Sequence, residues 1–292
     1  MSDRITPVIG LIGGSGLYDI DGLEDREWRK VETPWGEPSD LLLFGRLAGV
    51  RCVFLPRHGR GHPAPPSALN YRANIDALKR SGVTDVVSLS AVGSLHEDLP
   101  PGHFVIVDQF IDRTFARAKS FFGPGLVAHV SMADPVCPRL STLAAAAARE
   151  AGARVVEGGT YLAMEGPQFS TRAESELYRS WGGDVIGMTN MPEAKLAREA
   201  ELPYASVAMV TDYDCWRADT AAVEVTNVLQ VLQANAAIAR ETVRRLAGSL
   251  PAERTPSPID TVLDFALITA PDVRDPALAA KLDAVAGRVL HG

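Results

Sequence analysis

Short runs of Val, Ile and Leu recur along the chain, separated by longer stretches in which Ala and Leu are mixed with charged residues at helical spacing. An unbroken apolar run of strand length marks a strand covered on both faces, and apolar positions three and four residues apart mark one face of a helix. Strands are predicted over 8–12, 41–47, 50–56, 85–89, 104–108, 160–164, 185–188 and 204–210, and helices over 71–81, 138–151, 172–181, 192–200 and 222–246. Val225, Val228, Leu229 and Leu232 share one face of the last helix. Strands alternating with helices predict an α/β fold.

The pattern changes at 251–258, where three prolines make a linker after the long helix. Residues 1–250 read as one unit and 251–292 as an extension with an apolar segment over 262–269 and a short helix from about 276. So short an extension cannot bury its own core, so it is expected to pack on the main body or on a neighbouring subunit.

Composition narrows the function classes. Twenty-nine Lys and Arg against 36 Asp and Glu give a formal charge of −7, which disfavours a broad nucleic-acid surface and leaves room for a small enclosed anion pocket. Cys52, Cys137 and Cys215 are too few and too scattered for a disulfide framework or a zinc pattern. The first residues lack a charged region followed by an apolar core, and no run approaches the ~20 apolar residues that cross a bilayer. A cytoplasmic protein with no membrane or nucleic-acid partner is expected.

The candidate chemistry lies at strand ends. Asp212 and Asp214 follow the strand at 204–210, where two carboxylates can accept from a heterocycle that presents donors, such as the amino group of adenine. Ser15 lies in a Gly-rich turn after the first strand, which suits a phosphate or a simple tight turn; Asp19 replaces the third glycine of a dinucleotide fingerprint. Arg57 and His58 follow the strand at 50–56 and offer a planar fork and a ring donor to an anion, or else a solvated basic loop. Gly59 and Gly61 count against a helix that would align His58 and His62 on a metal. Ser90 and Ala91 begin a small-residue strand-to-loop turn suited to a ligand on the backbone.

In the run 164–174, Ser170 or Thr171 can cap a helix with Glu174, while Phe169 offers an aromatic face and Glu165 a carboxylate for a water or a sugar hydroxyl. Met188 is a core residue or a soft ligand surface, Thr189 has a free hydroxyl, and His129 reads by default as structural.

In this order the segments resemble the trimeric purine nucleoside phosphorylases from about Val8 to Leu246, with long signatures at 70–74, 108–114 and 211–216. The resemblance implies a single α/β domain with a mixed central sheet flanked by helices, assembled as a homotrimer. It also implies phosphorolysis of a nucleoside, with inorganic phosphate as co-substrate and neither cofactor nor metal. Ser15, Arg57, His58, Ser90, Ala91 through its backbone, Ser170 and Thr189 are then expected at phosphate. Met188 is expected under the ribose, and Phe169, Asp212 and Asp214 at the base, with Asp212 supporting a proton at purine N7. Asp in place of the Asn of 6-oxopurine relatives implies adenine, and Val225 and Val228 imply an apolar 5′ pocket, completed by His129 and by Leu267 or Ile268 from a neighbouring subunit. The expected substrate is 5′-methylthioadenosine. Rival readings are a broader phosphorylase acting on adenosine, inosine or 5′-methylthioinosine, a hydrolase, a non-catalytic nucleoside binder and a Rossmann oxidoreductase.

Overall fold

The computed structural model describes residues 5–14, 17–217 and 225–291, with 225–230 and 232 described as backbone only. Its strands are β1 (Val8–Gly13), β2 (Glu24–Arg29), β3 (Leu42–Leu47), β4 (Val50–Pro56), β5 (Asp85–Ser94), β6 (His103–Val107), β7 (Gln109–Asp112), β8 (Arg154–Glu157), β9 (Thr160–Ala163), β10 (Val185–Gly187) and β11 (Tyr204–Asp212). The α-helices are α1 (Tyr71–Arg80), α2 (Pro138–Glu150), α3 (Arg172–Ser180), α4 (Asn190–Glu199), α5 (Val225–Ser249), α6 (Pro276–Lys281) and α7 (Asp283–Leu290).

All eleven strands join one mixed sheet, ordered β2-β3-β4-β1-β5-β10-β9-β7, with β11 on β5 and β6, and β8 on β6. The apolar runs work as the sequence predicts. β1 sends Val8 and Ile12 to one apolar cluster and Ile9 and Leu11 to the other, and β11 divides Tyr204, Ala208 and Val210 from Ala205, Val207 and Met209. Residues of α1 and α4 cover the first face, and residues of α2 and α5 the second. Such two-sided cover explains why these strands read as continuous apolar runs. Among the described residues no helix is long and apolar enough to cross a membrane.

β5 is the fork of the sheet. β11 runs along it in parallel, while its other edge pairs with β1 through 85–88 and with β10 only at Gly93 and Ser94. Residues 89–92 therefore lie on a strand edge between the end of β1 and the start of β10. Here the structure corrects the sequence reading, which ended the strand at 89 and made 90–95 a turn. The ladder to β11 and β10 keeps that segment extended.

The stretch after α5 is held by charge. Arg254, 3 % exposed, donates to Asp85 at 2.8 Å and to Asp260, and its backbone N–H meets Ile5 O at 2.8 Å. Farther on, Leu267 bridges to Ala128, His129 N donates to Ala266 O and Ile268 N to Val127 O, both at 2.9 Å. Arg288 of α7 binds Glu201.

Candidate functional site

Asp212 ends β11, and its carboxylate is oriented on both sides. Oδ1 accepts the Asp214 backbone N–H at 2.8 Å and Oδ2 the Thr211 hydroxyl at 2.8 Å. Gly93 of β5 permits the approach, because a Cβ there would stand 2.9 Å from Asp212 Oδ1. Asp214 is 4 % exposed, takes a left-handed backbone with φ 52°, and has a buried Oδ2 with no hydrogen-bond partner among the described residues. Burial raises both carboxyl pKa values above the ordinary aspartate range, and for Asp214 the neighbouring Asp212 charge adds to the rise. Two acids that resist ionisation at a strand end suit a partner that brings donors or a proton.

The turn between β9 and α3 lies beside this pair, since Cys215 Sγ donates to Ser170 O at 3.2 Å. Thr171 makes the reciprocal cap with Glu174, which fixes the start of α3. Just before it, Phe169 is 44 % exposed, as an aromatic face for a ligand must be. Gly166, at φ 68°, brings the chain against Met188, whose Sδ would lie 2.5 Å from any Cβ at 166. Met188 thus sits between the β9 and β10 turns, partly buried against the Leu95 and Trp216 cluster. Thr189, next in the chain, is 7 % exposed. The Ser170 hydroxyl lies 3.4 Å from Met164 Sδ.

Glu165 differs from its sequence reading. Its carboxylate takes the Phe115 N–H at 2.6 Å, the Ala116 N–H at 3.3 Å, Arg117 Nε at 3.4 Å and the Ser67 hydroxyl. These donors occupy the oxygens that a sugar hydroxyl would need, so Glu165 fastens the 115–117 loop.

The residues expected at an anion form a second group along the fork of β5. Arg57 is 2 % exposed and its guanidinium is engaged within the chain, by Glu193 at 2.9 and 3.3 Å, Leu89 O at 3.1 Å and the Ser88 hydroxyl. Among the described residues, one of its five N–H groups, on Nη1, has no partner. Arg57 is therefore a pinned side chain rather than the open fork the sequence suggests. Ser90 donates to Asn190 Oδ1 at 3.0 Å, Asn190 donates to the Ser88 hydroxyl at 3.2 Å, and Tyr204 donates to Glu193 at 2.8 Å. Ala91 lies half-buried on the same strand edge.

His58 Nδ1 faces Ala64 O at 2.9 Å, and its ring stacks on His62 with centroids 4.1 Å apart. Burial and the Arg57 charge hold the His58 pKa down at about 4 against the pull of that carbonyl. At neutral pH the ring donates from Nδ1 to Ala64 and presents Nε2 as an acceptor.

His129 and Ile268 lie together on the 127–129 and 266–268 ladder, both exposed, Ile268 at 62 %. His129 also borders a cavity of about 410 Å³ with Lys119, Lys195 and Glu199. Ser15 falls outside the described residues. Val225 and Val228 lie in the first turn of α5, with side chains outside the described ones. The sequence missed Glu193, Asn190 and Arg117; Asn190 and Glu193 are an amide and an acid at the junction of β10 and α4, and Arg117 lies in the loop after β7 with no such mark.

The model of the phosphorylase superfamily matches residues 8–247. S-methyl-5′-thioadenosine phosphorylase of Cereibacter sphaeroides is 66 % identical over 98 % of this chain and 99 % of its own. That of Bradyrhizobium diazoefficiens is 61 % identical over the same shares. Among solved structures, a methylthioadenosine phosphorylase from an Antarctic soil metagenomic library superposes with a TM-score of 0.91 at 47 % identity, covering 97 % of this chain and 99 % of that one. Methylthioadenosine phosphorylase of Schistosoma mansoni in complex with adenine gives 0.76 at 40 % identity, covering 82 % and 90 %. The chain belongs to the phosphorylase superfamily, among its S-methyl-5′-thioadenosine phosphorylases.

Proposed function

We propose that this chain, a pentosyltransferase, cleaves the N-glycosidic bond of 5′-methylthioadenosine with inorganic phosphate, giving adenine and 5-methylthioribose 1-phosphate. The observation that carries the reading is the Asp212–Asp214 pair at the end of β11, set against Gly93 of β5 and next to the edge that holds Ser90 and Ala91.

In the reaction a phosphate oxygen bonds to C1′ as the C1′–N9 bond breaks, and the bonding pair leaves with the purine. Positive character on the ribose is met by the phosphate oxygens, and negative charge on the purine by a proton or hydrogen bond at N7. Asp212, with its raised pKa and fixed orientation, serves N7 and the 6-amino group beside it, and Asp214 reinforces the choice of an amino purine. Phe169 stacks on the base and Met188 lies under the ribose. His58 Nε2 accepts a phosphate O–H, while Thr189, Ser90, Ser170, the Ala91 backbone, Ser15 and the remaining Arg57 N–H complete the anion site. No covalent enzyme intermediate, cofactor or metal is needed.

The remainder of the reading calls for a homotrimer. His129 and Ile268 are exposed on one ladder and would close a neighbour's 5′ pocket together with Val225 and Val228. Purine release from 5′-methylthioadenosine, adenosine, inosine and 5′-methylthioinosine, each with and without phosphate, tests the proposal. Phosphate-dependent release of adenine, fastest from 5′-methylthioadenosine, is expected. Faster hypoxanthine release would overturn the specificity, and phosphate-independent release would make the enzyme a hydrolase.

A further inference from the structure

Arg117 lies where the two turns of the nucleoside site meet. It is 9 % exposed, and its guanidinium donates from Nη1 to Met188 O at 2.5 Å, Met191 O at 2.7 Å and Tyr71 Oη at 3.0 Å. From Nη2 it reaches Glu165 O at 2.7 Å and Met164 O at 3.5 Å, and from Nε it reaches Glu165 Oε1 at 3.4 Å. One planar cation thus collects carbonyls from the turn after β9, which leads to Phe169, and from the turn after β10, which contains Met188 and Thr189.

The geometry explains why such a group is needed. β9 and β10 pair in parallel through Ala163 and Gly187, and beyond those residues the ladder stops. The carbonyls of the diverging turns face inward with no strand to bond them, and an unpaired buried carbonyl is costly. Arg117 replaces the ladder and sets the spacing between the turns. Lysine carries its three N–H groups on one nitrogen and lacks the planar fork that spans both sides.

We propose that Arg117 is a positioning residue for nucleoside binding: it touches no substrate, and it fixes the separation between the base wall at Phe169 and the ribose floor at Met188. The inference rests on the reading of this site as the nucleoside site. A misplacement near 1 Å costs up to about 100-fold in such sites, so the effect on catalysis should exceed the effect on folding.

The test compares Arg117→Lys with Arg254→Lys, a change at another buried arginine, outside the site. Thermal midpoint, kcat, and KM for nucleoside at saturating phosphate are measured for both. Arg117→Lys is expected to raise nucleoside KM about 10-fold or more with a smaller change in kcat, while Arg254→Lys lowers the midpoint and leaves KM alone. Wild-type KM in Arg117→Lys, or equal KM increases in both variants, would overturn the proposal. Should Arg117→Lys fail to fold, Tyr71→Phe, which removes one partner, decides: a raised KM supports the role and an unchanged KM overturns it. Calorimetric binding of adenine to wild type and variants reads the same positioning without turnover, so failure of the proposed reaction and failure of this inference are distinguishable.

Discussion

Glu193 takes Arg57 through two contacts, Nε to Oε2 at 2.9 Å and Nη2 to Oε1 at 3.3 Å, with both side chains almost wholly buried. The pair neutralises a cation placed at the candidate anion site, so the guanidinium is fixed before any phosphate arrives. Removing one partner of such a pair costs about 3–5 kcal/mol because the other charge is left uncompensated. Glu193→Gln should lose up to that amount in chemical denaturation. Added phosphate should raise the variant's Tm more than the wild type's, since the anion supplies the missing charge; equal increases would show that Arg57 does not face phosphate.

Asp212→Asn should exchange an acceptor for a group that also donates. The expected result is a fall of about 100-fold in kcat/KM for 5′-methylthioadenosine, with a gain on 5′-methylthioinosine, measured as purine release. A variant that kept the adenine preference would assign that preference elsewhere.

His58 should stay neutral far below the usual imidazole range, because burial holds its pKa near 4. With ring-labelled histidine, its resonances should not move between pH 5.5 and 8. A midpoint near the ordinary 6.5 would remove its role as an acceptor for phosphate.

Glu199 gives a pH dependence of the opposite kind. It is 7 % exposed and accepts from Ser120 Oγ and Phe121 N at 2.7 Å each, yet burial pushes its pKa from an ordinary 4.5 up to about 7. The native state binds more protons than the unfolded chain between those values, so this contribution is full below pH 4.5 and lost as pH rises to 7, by about 3 kcal/mol at most. His58, lowered to about 4, works against it, adding stability as pH rises toward 6.5. Glu199→Gln should therefore show stability rising more steeply with pH between 5 and 7 than wild type does. Parallel curves would contradict the assignment.

The elements visible in the sequence are those whose pattern reports their own surroundings. β1, β4 and β11 are apolar on both faces and were legible, as was the Thr171–Glu174 cap. β2, with Glu24, Asp25, Arg26, Glu27 and Arg29 exposed at the sheet edge, and the short β7 and β8 were not, because partner strands rather than local composition hold them. Pro192 marked the start of α4 closely: Met191 before it has φ −119° and ψ 131°, and regular helix follows. Asp212, Asp214, Phe169 and Met188 fall at strand ends and could be picked out. Glu193 stands 136 residues from Arg57 and Arg117 stands 71 from Met188, so nothing local announced those contacts.

The ladder that joins 127–129 to 266–268 makes His129 and Ile268 one mechanical piece, remote in sequence from Asp212 and Asp214. On the proposed reading, recognition of the purine and recognition of the distal end of the sugar are built on separately exchangeable parts. Grafting a relative's residues 262–292 would then change the tolerated 5′ substituent while the choice between amino and oxo purines stays the same.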